Sequence, residues 1–374
     1  MKKTLLTICL VWMCFSLSAQ KIIDLSGKWS FSIDRQDNGE KEKWFSHTLN
    51  DFINLPGSMP EKLKGDEVTA KTQWTGSLYD SSYYYNPYME KYRKEGNIKF
   101  PFFLTPDKHY VGAAWYQKEV NIPADWKGER ILLFLERPHI ETTVWVNGQK
   151  TGMQNSLCVP HQYDITHYVR PGKCTITIRV DNRIKEINVG PDSHSITDQT
   201  QGNWNGIVGR ICLQTTPKTY FDDIQIYPEP EQKLARVKVV IKGTGTAKVK
   251  LSAESFNTDK KHIVPAIQQE IKLNKGVTET EMVLPMGNDM LLWDEFHPAL
   301  YKLKAEVTNG KKTEIKEIQF GMRRFEIKGK WFYVNGRKTQ LRGTVENCDF
   351  PLTGYAPMDV ESWERVFRIC RSYG

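Results

Sequence analysis

At 374 residues the chain is too long for one compact core and suits two or three domains. Its formal charge of +8 comes from 52 Lys and Arg against 44 Asp and Glu, and the basic residues are scattered among the acidic ones. That pattern excludes the basic stripe or patch of a nucleic-acid-binding protein and reads as ordinary surface solubility.

The first element is a leader. Lys2 and Lys3 precede an apolar run from Leu5 to Leu17 that ends in Ser18-Ala19, which predicts a secretory signal peptide over 1–19 and a mature chain beginning at Gln20. The run is shorter than the roughly 20 residues needed to cross a bilayer, and no later stretch comes close, so no membrane span is expected. Export places the mature protein in the periplasm or outside the cell. Of the seven cysteines, Cys9 and Cys14 leave with the leader, while Cys158, Cys174, Cys212, Cys348 and Cys370 stand at wide, irregular intervals. No zinc spacing is present, and neither a metal nor a cofactor is expected. The odd count fits buried thiols better than a disulfide scaffold, with one pair left open.

From Gly112 the chain alternates apolar and polar residues in short bursts, at Ala114–Val120, Ile131–Leu135, Thr142–Val146 and Thr175–Val180, which predicts strands. Asn147-Gly148 after Val144-Trp145-Val146 suits a type I′ hairpin, whose two central residues need positive φ. Residues 20–218 are accordingly read as a two-sheet sandwich. Between Ser46 and Lys108 the alternation gives way to an aromatic, polar stretch with Trp74, Tyr79, Tyr83, Tyr84, Tyr85, Tyr88 and Tyr92. So many rings argue against disorder. They either close the end of the sandwich or stack on the apolar faces of sugar rings.

A second β-region runs over 219–320, with apolar bursts at Ile224–Tyr227, Val237–Ile241, Val249–Ser252, Ile271–Leu273, Met282–Leu284 and Leu303–Val307. About seven short strands are expected there, in an immunoglobulin-like sandwich. After Gly321, Phe325-Glu326-Ile327 and Trp331–Val334 flank a turn, and Lys338–Thr344 reads as a further strand. Asp359 is a suitable helix N-cap, with Val360, Trp363, Val366, Phe367, Cys370 and Tyr373 on one face and Gly374 as a stop. A strand followed by such a helix is half of a βαβ unit, so the fold is expected to be interrupted, with an uncovered apolar helix face.

Read together, several segments resemble glycoside hydrolase family 2, the group of β-galactosidases, β-glucuronidases and β-mannosidases. They are Gly112–Lys118, Leu135–Pro138, Val144–Gly148, Tyr163–Thr166, Ile178–Asn182, Asn203–Gly209, Leu292-Trp293 with His297–Tyr301, Phe320–Arg323, Val334–Gly336 and Leu341–Gly343, in the family's order. The resemblance implies a mostly β architecture: a jelly-roll-like sugar-binding sandwich over 20–218, an immunoglobulin-like sandwich over 219–320, and over 321–374 the first strand and helix of an incomplete (β/α)8 barrel. It also implies a retaining β-glycosidase, β-galactosidase-like, in which one carboxylic acid protonates the leaving oxygen and a second, about 5 Å away, attacks the anomeric carbon. In the family both are glutamates late in the barrel, and the acid/base residue follows an asparagine. No Asn-Glu dipeptide occurs in this sequence. The chain is therefore expected to be a fragment without catalytic residues and to be inactive alone.

The resemblance also implies that the loop His194–Trp204 reaches the sugar, with Asp198 and Asn203 as hydrogen-bonding groups and Trp204 as an apolar wall; the same polar residues could instead bond the loop to itself. Arg342 matches the family's Arg-Gly motif, and either lines the sugar pocket or braces the strand end through charge-assisted hydrogen bonds. Glu346 stands where a barrel places functional groups, although Thr344-Val345-Glu346-Asn347-Cys348 departs from the family's usual Asn, basic residue, His-Glu run and so weakens a specifically β-galactosidase reading. Adjacent His194 and Ser195 do not make a catalytic triad. The expected partner is a carbohydrate, a β-linked glycan or glycoside. A second reading is a non-catalytic carbohydrate-binding protein, and a third, an adhesion protein of sandwich repeats, lacks the internal repeat it would need.

Overall fold

The computed structural model describes residues 21–75, 82–100, 105–185, 198, 202–345, 350 and 353–373. The leader, Tyr79, His194, Ser195, Glu346, Cys348 and Gly374 lie outside the described residues. The chain is mostly β and divides into two compact units, one of Ile22–Thr215 with the residues from Arg342 onward, the other of Thr216–Leu341.

The first unit is built on two sheets. A six-stranded antiparallel sheet runs in the order Gln149–Asn155, Glu141–Val146, Gly172–Asp181, Ala113–Ile122, Gly27–Asp34, Asp51–Leu55. The second sheet has the order Ile22–Asp24, Gly206–Thr216, Arg130–Pro138, His161–Asp164, with Gly57–Ser58 paired to Gly206-Ile207. Because side chains alternate along a strand, Phe31, Tyr116, Val144, Ile176 and Ile178 of the first sheet meet Leu133, Leu135, Ile211 and Leu213 of the second in one core. The Asn147-Gly148 corner has φ of 49° and 77°, as a type I′ turn requires.

The outer face of the six-stranded sheet is also covered. Trp115 and Trp145 point away from the main core and stack at 4.9 Å, and Phe45 lies on Trp145 at 5.2 Å, nearly parallel. Residues 44–49 supply the lid, so Ala113–Tyr116 is buried on both faces and reads as a continuous apolar run rather than an alternation.

The second unit departs from the seven short strands expected. Val237–Ile241 and Val249–Ser252 belong to one strand, Leu234–Ser255, and Ile271–Leu273 and Met282–Leu284 to another, Ile263–Pro285. The two pair along nearly their whole length, with Gly243 opposite Gly276 and a register shift between Gly243 and Gly245. These glycines sit at positive φ, so the backbone bends where side-chain-bearing residues would break the strand. The first half of Leu234–Ser255 pairs with Tyr220–Glu229 and the second half with Tyr301–Asn309, which pairs in turn with Lys312–Phe320. Buried residues from both halves share one core, among them Val237, Val239, Val249, Leu251, Leu303 and Val307.

A small three-stranded sheet follows, Phe325–Lys328, Trp331–Val334 and Arg337–Thr339. The strand expected over Lys338–Thr344 forms only through Thr339, and residues 341–345 are exposed. Among the described residues no neighbouring strand offers them backbone partners, and an unpaired strand gains nothing from extension. The helix Val360–Ser372 starts where its cap predicts, with the Asp359 carboxylate accepting from the Ser362 amide at 2.8 Å. Val360 and Phe367 on it, and Tyr373 just after it, are exposed. No described helix is long and apolar enough to cross a membrane.

Candidate active-site loop

The end of strand Gly172–Asp181 carries the scaffold of the site. Asn182 is fully buried and donates to the Tyr110 carbonyl at 2.9 Å and to Asn203 Oδ1 at 3.0 Å, while its own Oδ1 accepts from the Gly112 amide at 2.8 Å. Asn203 returns its Nδ2 to the Asn182 carbonyl at 3.0 Å and to Thr75 Oγ1 at 2.9 Å. Asn205 donates to the Gly112 and Val180 carbonyls, each at 2.9 Å, and accepts from the Tyr116 hydroxyl at 2.7 Å. A buried amide is costly unless its donors and acceptors are matched; Asn182 and Asn203 match each other, Asn205 matches the strand ends and the Tyr116 hydroxyl, and together they fix the path of residues 202–206.

Asp198 is also buried, accepting from the amides of Thr75 and Asn203, and His109 Nε2 lies 3.6 Å from its Oδ2. Asp198 and Asn203 therefore spend their polar atoms on the scaffold. Trp204 differs. It is half-buried and stacks on His139 with ring centres 4.5 Å apart and 19° between planes. Burial pushes the pKa of His139 down to about 4, against a hydrogen bond with Asn203 and the charge of Asp198, which raise it. The imidazole at this stack is thus neutral at pH 7.

Trp204, Asn203, Asp198, His109, Gly202, Pro60 and Pro106 enclose a cavity of about 30 Å³ together with Gly354, Tyr355 and Ala356. That is room for a water or two rather than a sugar ring. Gly354 closes it at φ 77°, and a Cβ there would run into the backbone of Thr105 and Pro106. Replacing Gly354 with valine is expected to destabilise this packing by about 1–3 kcal/mol through strain and overlap. Trypsin should then cleave the helix Val360–Ser372 faster than in the parent chain; an unchanged rate would mean that the close approach is dispensable.

The fold thus brings Asp198, Asn203 and Trp204 together. Arg342 is exposed and, among the described residues, makes no hydrogen bond to any of the three. Glu346 lies outside the described residues. Among those described, no group of three His, Cys, Asp or Glu has a metal-holding arrangement. The sequence reading missed Thr75, His109 and His139 as members of the site. Nothing local marks them, since Thr75 meets Asp198 across 123 residues.

Comparison with known proteins gives this architecture a family. The model for "Glycosyl hydrolases family 2, sugar binding domain" matches residues 22–217, and that for "Glycosyl hydrolases family 2" matches 219–323. A β-glucuronidase of Paenibacillus borealis is 23% identical over 355 residues, covering 90% of this chain and 51% of that protein. The β-galactosidase large subunit of Latilactobacillus sakei is 23% identical, covering 91% and 52%. Among solved structures, the β-glucuronidase of Ruminococcus gnavus in complex with D-glucuronic acid superposes with a TM-score of 0.65 at 19% identity, over 94% of this chain and 54% of that one. The chain spans about half the length of the curated relatives it matches. With two consecutive family models accounting for residues 22–217 and 219–323, the chain belongs to glycosyl hydrolase family 2.

Proposed function

We propose that these 374 residues provide the sugar-binding and middle domains of an exported retaining β-glycosidase, with residues 321–374 leading into its (β/α)8 catalytic barrel. The observation that carries this reading is the unbroken order of the two family models in a chain that spans about half of its relatives. In it the jelly-roll-like sandwich contributes Trp204 as an apolar wall of a sugar site completed by the barrel, Asp198 and Asn203 hold that wall in place, and Arg342 and Glu346 are the further candidates for contact with the sugar. The two glutamates of the reaction are supplied from outside these residues, so the 374-residue chain does not hydrolyse glycosides by itself. The relatives carry both names, which makes 4-nitrophenyl β-D-galactoside and β-D-glucuronide the substrates to try. Neither should be turned over above a heat-denatured control, and turnover of either would overturn the assignment of both catalytic carboxylates to other residues.

Reading the gene past the codon for Gly374 tests the family role: further βα units with an Asn-Glu pair support the glycosidase, and unrelated sequence refutes it. A non-catalytic carbohydrate-binding protein is the second reading, favoured by the two separate hydrophobic cores. Export predicts a mature amino terminus at Gln20; N-terminal sequencing of the secreted protein that returned Met1 would rule it out.

A further inference from the structure

In the second unit the strand Ile263–Pro285 pairs with Leu234–Ser255 on one side, and among the described residues no strand pairs with its other side. Backbone amides and carbonyls along such an edge are open to another strand. The rim of Tyr220–Glu229 is treated differently, because Glu314 and Lys316 bond the amide and the carbonyl of Phe221 with their side chains. On Ile263–Pro285 the Asn274 amide is taken by Thr278 Oγ1 at 2.8 Å where the strand bends. The regular stretch Ile267–Leu273 before the bend carries no such bond among the described residues.

The charges on this stretch say what fits the edge. Ile271 and Leu273 are buried in the core, while Glu270 and Lys272 are exposed on the opposite face. Elsewhere on the sheet cross-strand charges are matched, as in Lys238 with Glu279, Lys250 with Glu306 and Lys302 with Glu317. Glu270 and Lys272 make no ion pair among the described residues, although Lys248 stands opposite Glu270. A second copy joined antiparallel along this edge must keep core-facing residues on one face, since a slip of one residue would turn them outward. Pairing about Glu270 or about Lys272 then sets like charges directly opposite, which is destabilising. Pairing about Ile271 sets Glu270 of each copy opposite Lys272 of the other, twice by symmetry, and brings Gln268 beside Asn274. A lone lysine on an edge repels other strands; Glu270 two residues away leaves one register in which that lysine is matched.

We infer that the open edge of Ile263–Pro285 is a self-association surface, on which a second copy of this chain pairs antiparallel about Ile271 with reciprocal Glu270–Lys272 contacts. The inference concerns assembly and is independent of the glycosidase reading. A strand pair of this length buries less than a standard interface, so the dimer is weak and concentration-dependent. Sedimentation equilibrium of the 374-residue chain from about 1 μM to 1 mM should show monomer and dimer in exchange. Lys272→Glu should raise the dimer dissociation constant about tenfold, because symmetry puts two like-charge pairs in place of two attractive ones. Its unfolding midpoint should not move, since the side chain is exposed. Glu270→Lys should act in the same way, and the double variant Glu270→Lys/Lys272→Glu, which restores opposite charges across the axis, should bring the dissociation constant back to that of the parent chain. A monomer at every concentration, a dimer indifferent to Lys272→Glu, or a double variant no tighter than the single ones would each overturn the proposal.

Discussion

Replacing Asp181 with alanine is expected to lower the stability of the first sandwich by about 3–5 kcal/mol, the usual range for removing one partner of a buried ion cluster. Asp181 is fully buried at the end of its strand and is held by Arg179 at 3.0 Å, Arg183 at 2.6 Å and Lys185 at 2.8 Å. Asp37 bridges Arg179 and Arg183, each at 2.6 Å, and Glu141 joins Arg179 to Lys185. Burial by itself would raise the Asp181 pKa; hydrogen bonds from Arg183 and Lys185 and the charge of Arg179 outweigh it and hold the carboxyl well below the usual carboxylate range. Without Asp181, the largely buried Arg179 keeps its charge and loses its most enclosed counter-ion. Urea unfolding should show the loss as a lower midpoint at unchanged slope, and a change under about 1 kcal/mol would mark the network as surface-like. Asn182 follows directly, so the variant should also loosen the Trp204 loop.

Acidification is expected to weaken the same sandwich well before its paired carboxylates titrate. His139 has its pKa pushed down to about 4, first by burial, and burial lowers that of His161 as well. His161 sits in the core with Nδ1 2.6 Å from Thr142 Oγ1, which also bonds the Tyr163 hydroxyl at 2.6 Å. A histidine whose folded pKa lies below its unfolded value of about 6.5 binds protons more readily when unfolded. The stability it contributes is present above that value and is lost as pH falls toward the folded pKa. For His139 the loss between about pH 6.5 and 4 is about 3 kcal/mol. Denaturant melts at pH 7.5, 5.5 and 4.5 should show this slope, and His139→Gln should flatten much of it. A parent chain equally stable at all three pH values would refute the account.

The strands of the first sandwich were legible because their faces alternate, and the Asn147-Gly148 corner and the Asp359 cap because each depends on residues within a few positions of itself. Trp115 did not follow the alternation, and its second buried face becomes intelligible only once residues 44–49 are seen to cover it. The aromatic stretch before Lys108 divides, with Tyr83 and Phe100 packed inside while Tyr85 and Tyr88 remain exposed.

By itself the sequence determined the β character, the order of the family motifs and the place of the Asn203–Gly209 loop among them, all of which are written in neighbouring residues. Only the tertiary structure decided that Leu234–Ser255 bends as one strand, because Gly243 is a bend or a break according to whether its partner strand continues opposite it. Only the tertiary structure, too, separated the roles within the loop. Asp198 and Asn203 turn their side-chain polar atoms to a scaffold shared with Thr75 and Asn182, and Trp204 is left facing the cavity. Hydrogen-bonding capacity belongs to a residue type, whereas the partner that uses it up is brought in by packing from distant parts of the chain.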